Sequence, residues 1–279
     1  MAKKEITGDF NWRIQEVPSF LEGNDTEIIY NSLDENVKRN IGYDEKTKTV
    51  LGSTPFLAAR VDSMLRHLGI RAATPADLGR KEIIEGIRRE HYTDASALIL
   101  RSMDDSYEEN IFLIKRIAEE VEKRNEKLEL PVMITGFDVK PSNDKGYGLD
   151  ITAREDFKAI HDDRLEGKFN GQRFSEVDKI GLPIFNKKGK RTWVTRENGL
   201  SRLSLGGDLD LGSIDGRLAL SDDAGRVVLF SGGATSQIFL SNYNAGIEAG
   251  YKSREIKLLK AKEDLERLYR EVGKLLGDK

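Results

Sequence analysis

The sequence predicts an α/β protein, α+β overall: a small parallel sheet of β–α–β type in its first half, then a β-rich hairpin module, then a long C-terminal helix. Three observations carry that expectation. Residues 95–100 and 130–135 are short, nearly continuous apolar runs, as strands covered on both faces are. One amphipathic helical segment lies between them, which makes a β–α–β unit. From Gly146 onward, glycines punctuate short alternating or β-branched runs, the texture of antiparallel hairpins.

In chain order, residues 1–50 are polar and irregular, with a strand-like run at 27–30 and a turn-rich stretch at 42–48, and read as an arm or peripheral hairpin. Residues 51–145 form the α/β core. Two helix starts of one design open it: Ser53-Thr54-Pro55 and Thr74-Pro75-Ala76-Asp77 each place a hydroxyl at the N-cap and proline at the first helical position. The first helix buries Leu57, Val61, Leu65 and Leu68 and stops at Gly69, and the second runs to about residue 90. The gap between them exceeds the turn of about three or four residues in a helix-turn-helix, and residues 70–73 read instead as an extra strand of the parallel sheet. Residues 146–252 form the β-rich module, with one helix near 153–160. Residues 253–279 form an amphipathic helix suited to packing on its own domain or to joining a second copy in a homo-oligomer.

Composition narrows the chemistry. The chain is 33% charged, yet its formal charge is only −3, so the charges interleave and no global field points to nucleic acid or membrane. With no cysteine, disulfides, thiolate zinc sites, iron–sulfur clusters and cysteine nucleophiles are excluded. No apolar leader follows Met1, and no window approaches the roughly 18 apolar residues of a spanning helix, so the expected location is cytoplasmic. Walker A, Gly-x-Gly-x-x-Gly and Gly-x-Ser-x-Gly motifs do not occur.

The expected active centre is Asp104 and Asp105, after the first apolar run, together with Asp138 after the second. Parallel strands end on one edge, where open α/β sheets place ligands, and neighbouring carboxylates there can share Mg²⁺ or Mn²⁺. The competing reading is structural: Ser106 to Glu109 is itself a capping box, and acids before a helix start suit its dipole. The loop 140–148 offers Lys140, Lys145 and Gly146 as a substrate-phosphate site, through backbone amides and point charge. Between Arg164 and Arg202, ten basic residues face four acidic ones with Phe169, Phe174, Phe185 and Trp193 interleaved. Lys188, Arg191 and Trp193 are its expected nucleic-acid contacts, unless the aromatics face the core. Asp150 with Glu166-Gly-Lys168 resembles, at three positions, the Asp…Glu-x-Lys arrangement of restriction-type nucleases, and His161-Asp162-Asp163 is a possible mixed-ligand metal site.

Two functions follow. One is a phosphate-handling, divalent-metal-dependent enzyme of hydrolase type, acting on nucleotides or nucleic acid. The other is a non-enzymatic nucleic-acid-binding or assembly protein that uses the basic hairpins and the terminal helix.

Overall fold

A computed structural model describes residues 19–231, apart from 24, 88, 89, 125, 144 and 145. Strand β1 (Ser19–Phe20) and helix α1 (Thr26–Ser32) precede a hairpin of β2 (Gly42–Asp44) and β3 (Thr49–Leu51). Helix α2 (Pro55–Leu65) begins as its residue types require: the Thr54 hydroxyl accepts the Leu57 N–H at 3.0 Å, and Pro55 occupies the first turn, where no N–H is needed. It tightens into a 3₁₀ turn (Arg66–Leu68) and stops at Gly69, whose φ of 73° favours glycine.

Strand β4 (Ile70–Ala72) follows, then the second capped start, where the Thr74 N–H donates to Asp77 at 2.9 Å. The single helix expected here is split into a 3₁₀ turn (Pro75–Gly79) and α3 (Lys81–Ile87). The break falls at Arg80, whose backbone is extended (ψ 137°), and Val177 packs so closely on the preceding Gly79 that a Cβ there would overlap the valine side chain. The rest of the described chain comprises β5 (Thr93–Leu100), α4 (Glu108–Glu122), β6 (Val132–Pro141), β7 (Leu149–His161), β8 (Arg173–Val177), β9 (Pro183–Phe185), β10 (Arg191–Thr195), β11 (Leu200–Leu205), β12 (Leu211–Ser213) and β13 (Val228–Ser231).

Among the described residues the fold is mixed α/β, with four α-helices and one large mixed sheet ordered β7-β6-β5-β11-β12-β10-β8-β9. The expected parallel β–α–β unit is corrected. β5 and β6 are antiparallel, with Ala97 opposite Thr135 and Leu100 opposite Val132, and the parallel pair in this sheet is β10 with β12. The apolar runs report burial on both faces, which β5 has: α2 packs along it, and Ala95, Ala97 and Ile99 join Leu78, Ile83, Leu165 and Trp193 in the main core. Burial of this kind does not encode strand direction. The strand expected at 70–73 exists, but it pairs antiparallel with β13 in a separate sheet ordered β1-β13-β4. The helix expected near 153–160 is the second half of β7. The C-terminal helix at 253–279 lies outside the described residues. No helix among those described is long and apolar enough to cross a membrane.

An irregularity in the β6–β7 hairpin shapes the site. Thr135 pairs with Lys158 and Phe137 with Ala153, so two steps along β6 face five along β7, and residues 154–157 form a bulge. Opposite it stands Gly136, with a φ of 70°; a Cβ there would collide with the Asp156 carbonyl. The bulge interrupts the regular pairing, and beyond Ala97 β5 no longer pairs with β6: the Ser96 N–H donates instead to the Ala73 carbonyl at 3.3 Å.

Candidate functional site

The expected metal centre is not assembled. Asp104 and Asp105 follow Leu100, which pairs with the first residue of β6, whereas Asp138 lies six residues along that strand, so antiparallel pairing removes the shared edge. The Asp105 carboxylate is fully buried, accepting from the Leu200 N–H (2.7 Å), the Tyr107 N–H (3.0 Å) and the Asn110 amide (3.0 Å), with Arg196 at 3.4 Å. It braces the residues at the start of α4 and ties them to β11. Asp138 is paired with Arg60 at 2.8 Å. Asp104 is exposed and lines a hollow of about 610 Å³ with Ser102, Asp105, Ser106, Arg196, Glu197 and Asn198. Among the described residues no group of three or more His, Asp or Glu side chains is arranged to hold a metal ion.

The 140–148 loop is the tip of the β6–β7 hairpin, closed by the Ser142 N–H donating to the Gly148 carbonyl at 2.9 Å. Lys140 is exposed, 3.7 Å from Asp150, and Gly146 packs near Phe112; Lys145 lies outside the described residues. One link to the Asp105 cluster exists. The buried Tyr147 hydroxyl donates to Asn110 at 2.8 Å, and burial pushes its phenol up to about 12. Asp150 is held by Arg116 through two bonds of 2.9 and 2.8 Å, and Glu166 is paired with Lys168 at 2.6 Å.

In the basic segment, Trp193 is fully buried with its indole N–H on the Arg164 carbonyl (3.1 Å). Arg191 is also buried, stacked over Phe174 at 4.6 Å and donating to the Leu209 carbonyl at 2.8 Å; burial pulls its guanidinium down to about 10. Phe169 stacks on Phe185. The aromatics therefore face inward, and Lys188 is left exposed on the turn closed by the Gly189 N–H and the Asn186 carbonyl.

A cleft of about 310 Å³ opens where the hairpin leaves β5. It draws on Asp62 and Arg66 at the end of α2, Thr74, Ser96 of β5, Gly136 of β6, Arg154, Asp156 and Lys158 of β7, and Lys179 beyond β8. Asp62 is its anchor. Nearly inaccessible to solvent, it accepts from Arg66 (2.7 Å), Arg154 (2.6 Å) and the Ala72 N–H (3.0 Å). Asp156, on the bulge, takes the remaining arms of the same two guanidinium groups: Arg66 at 2.7 Å and Arg154 at 3.1 Å.

Burial opposes the charge on Asp156, but the hydrogen bonds and charges of Arg154 and Arg66 hold its carboxyl below the usual carboxylate range. Among the described residues the ammonium groups of Lys158 and Lys179 make no ion pair or hydrogen bond, and the Ser96 hydroxyl is buried without a hydrogen-bond partner. Four cations against two carboxylates leave the lining with two uncompensated positive charges. Such a site can hold an anion and stabilise negative charge on it. Both carboxylates are engaged by arginine, so neither is free to act as a base.

Periodicity and motif spacing do not single out Arg66, Arg154, Lys158 or Lys179, because the bulge and the hairpin bend gather them from distant parts of the chain. The usable signal is local: three consecutive charges, Arg154-Glu155-Asp156, interrupt a β-type run, and an isolated glycine stands in the neighbouring strand pattern, which together mark a bulge. No protein-family model matches the chain, and no curated protein and no solved structure is significantly similar to it.

Proposed function

We propose that this protein handles small phosphate-bearing molecules, nucleotides included, and that the cleft beside the β7 bulge holds the phosphate. The observation that carries the reading is the pair Lys158 and Lys179, two exposed ammonium groups without partners among the described residues, lining one hollow beside a carboxylate-braced arginine pair. Two surplus positive charges match a dianionic phosphate monoester better than a monoanionic carboxylate. The Ser96 hydroxyl, buried beside the cleft, has no hydrogen-bond partner among the described residues. A volume of about 310 Å³ is at the small end of ligand pockets, roughly 300–1,000 Å³, which favours a small molecule over a polymer. The inward-facing Trp193 and Arg191 remove the stacking platform that a nucleic-acid surface at 164–202 would need.

Dependence on Mg²⁺ or Mn²⁺ through Asp104, Asp105 and Asp138 draws no support from the side-chain geometry, since Asp105 and Asp138 already have partners. Isothermal titration of the full chain with inorganic phosphate and a nucleoside 5′-monophosphate, with and without Mg²⁺, tests the proposal. Binding is expected without metal, and Lys158→Ala/Lys179→Ala should weaken it by about tenfold or more, as loss of charge-assisted hydrogen bonds does. Equal affinity in the double variant, or no binding by the parent chain, refutes the assignment.

A further inference from the structure

We propose that Asp156 is a resident stand-in for the ligand: its carboxylate occupies the outer arms of Arg66 and Arg154, and an incoming phosphate displaces it to bind. This rests on the cleft being the phosphate site argued above.

The two carboxylates that share these arginines are not equivalent. Asp62 is 4% exposed and also accepts the Ala72 N–H, so it belongs to the frame; Asp156 is 43% exposed and, among the described residues, its carboxylate bonds only to the two guanidinium groups. Each arginine is divided between them. Arg66 gives Nη2 to Asp62 and Nη1 to Asp156, while Arg154 gives Nη1 to Asp62 and Nε to Asp156. When Asp156 leaves, Asp62 still orients both groups, and at least one N–H of each stays aimed at the vacated position. Two converging guanidinium groups suit the oxygens of a phosphate, which carries more charge than the carboxylate it replaces.

The backbone permits the exchange. Asp156 lies in the bulge, outside the flanking register, so its side chain can swing away without unpairing Ala153 from Phe137 or Lys158 from Thr135. Gly136 is what lets the Asp156 backbone approach β6, since a Cβ would collide with its carbonyl. Phe157, the next residue, is buried with Arg124 over its ring and fixes the end of the bulge. Lys158 and Lys179 supply the attraction that a carboxylate already in place does not satisfy.

The test is titration of the full chain with inorganic phosphate at fixed ionic strength, comparing the parent, Asp156→Asn and Lys158→Ala/Lys179→Ala. Removing the competing charge should tighten phosphate binding about three- to tenfold, the range expected for releasing a partly exposed ion pair. Asp156→Ala, which has no acceptor at all, should do the same, so the test does not depend on how the asparagine amide packs. In the parent chain, phosphate should also speed amide hydrogen exchange across residues 154–157, a change that a fixed structural ion pair would not show. If the parent binds, the lysine variant does not, and both Asp156 variants bind equally or more weakly, the site stands and the displacement is wrong. If neither the parent nor the Asp156 variants bind, the site assignment falls and the displacement with it.

Discussion

Ten basic residues lie between Arg164 and Arg202, and of these only Lys179 is among the four that line the cleft beside β7, where Arg66, Arg154 and Lys158 join it from other parts of the chain. In the first region the arginines serve the fold. Arg164 braces Asp162 and Asp178, Arg191 is buried over Phe174, and Trp193 fills the core, leaving Lys187, Lys188 and Lys190 exposed about one tight turn. In the second, the arginines are braced by Asp62 and the lysines have no partners among the described residues. The density of charge along a sequence therefore says less about binding than which charges the fold has already neutralised and which it gathers around a concavity.

The comparison breaks most readily at Trp193. If the ring is core, Trp193→Ala should lower the unfolding free energy by about 3–5 kcal/mol, read as a reduced urea midpoint. A near-neutral effect on stability would return the ring to the surface and revive the basic segment as a binding face.

A second prediction concerns the core that both regions share. Burial pushes the fully buried Asp94 carboxyl up to about 6 from its ordinary 3.8, against the charge of Arg202 3.6 Å away. The folded state thus binds the proton more tightly than the unfolded one. The stabilisation from this group is complete below about pH 4 and is lost as the pH rises through about 6. A shift of this size corresponds to roughly 3 kcal/mol between those limits. Chemical denaturation across the range should show that slope in the parent chain and a flatter one in Asp94→Asn; parallel curves would contradict it.

A smaller effect sharpens the account of the cleft. Gly136→Ala places a side chain at a φ of 70° and against the Asp156 carbonyl, which should cost about 1–3 kcal/mol and, by moving the bulge, weaken phosphate binding as well. Full stability with unchanged binding would show that the bulge does not shape the site.

Several parts of this fold are legible in the sequence because their causes are local. The Thr54 cap, the Thr74–Asp77 capping box and the left-handed Gly69 each follow from residue type at a fixed offset. The buried face of α4, with Leu113, Ile114, Ile117 and Val121, follows from helical spacing. Strand direction does not, since β5 is apolar for being covered on both faces whichever way β6 runs. The error over direction carried directly into the site: Asp104, Asp105 and Asp138 converge only on a common strand edge. The cleft was hidden for a different reason. Its cations come from the turn that ends α2, from β7 and from the segment beyond β8, and the bulge opposite Gly136 makes them neighbours.

The most direct test of the central claim is lysine footprinting by reductive methylation and mass spectrometry, with and without saturating inorganic phosphate. The account predicts that phosphate protects Lys158 and Lys179 while Lys187, Lys188 and Lys190 react at unchanged rates. Protection of the 187–190 turn with Lys158 and Lys179 unaffected would contradict it.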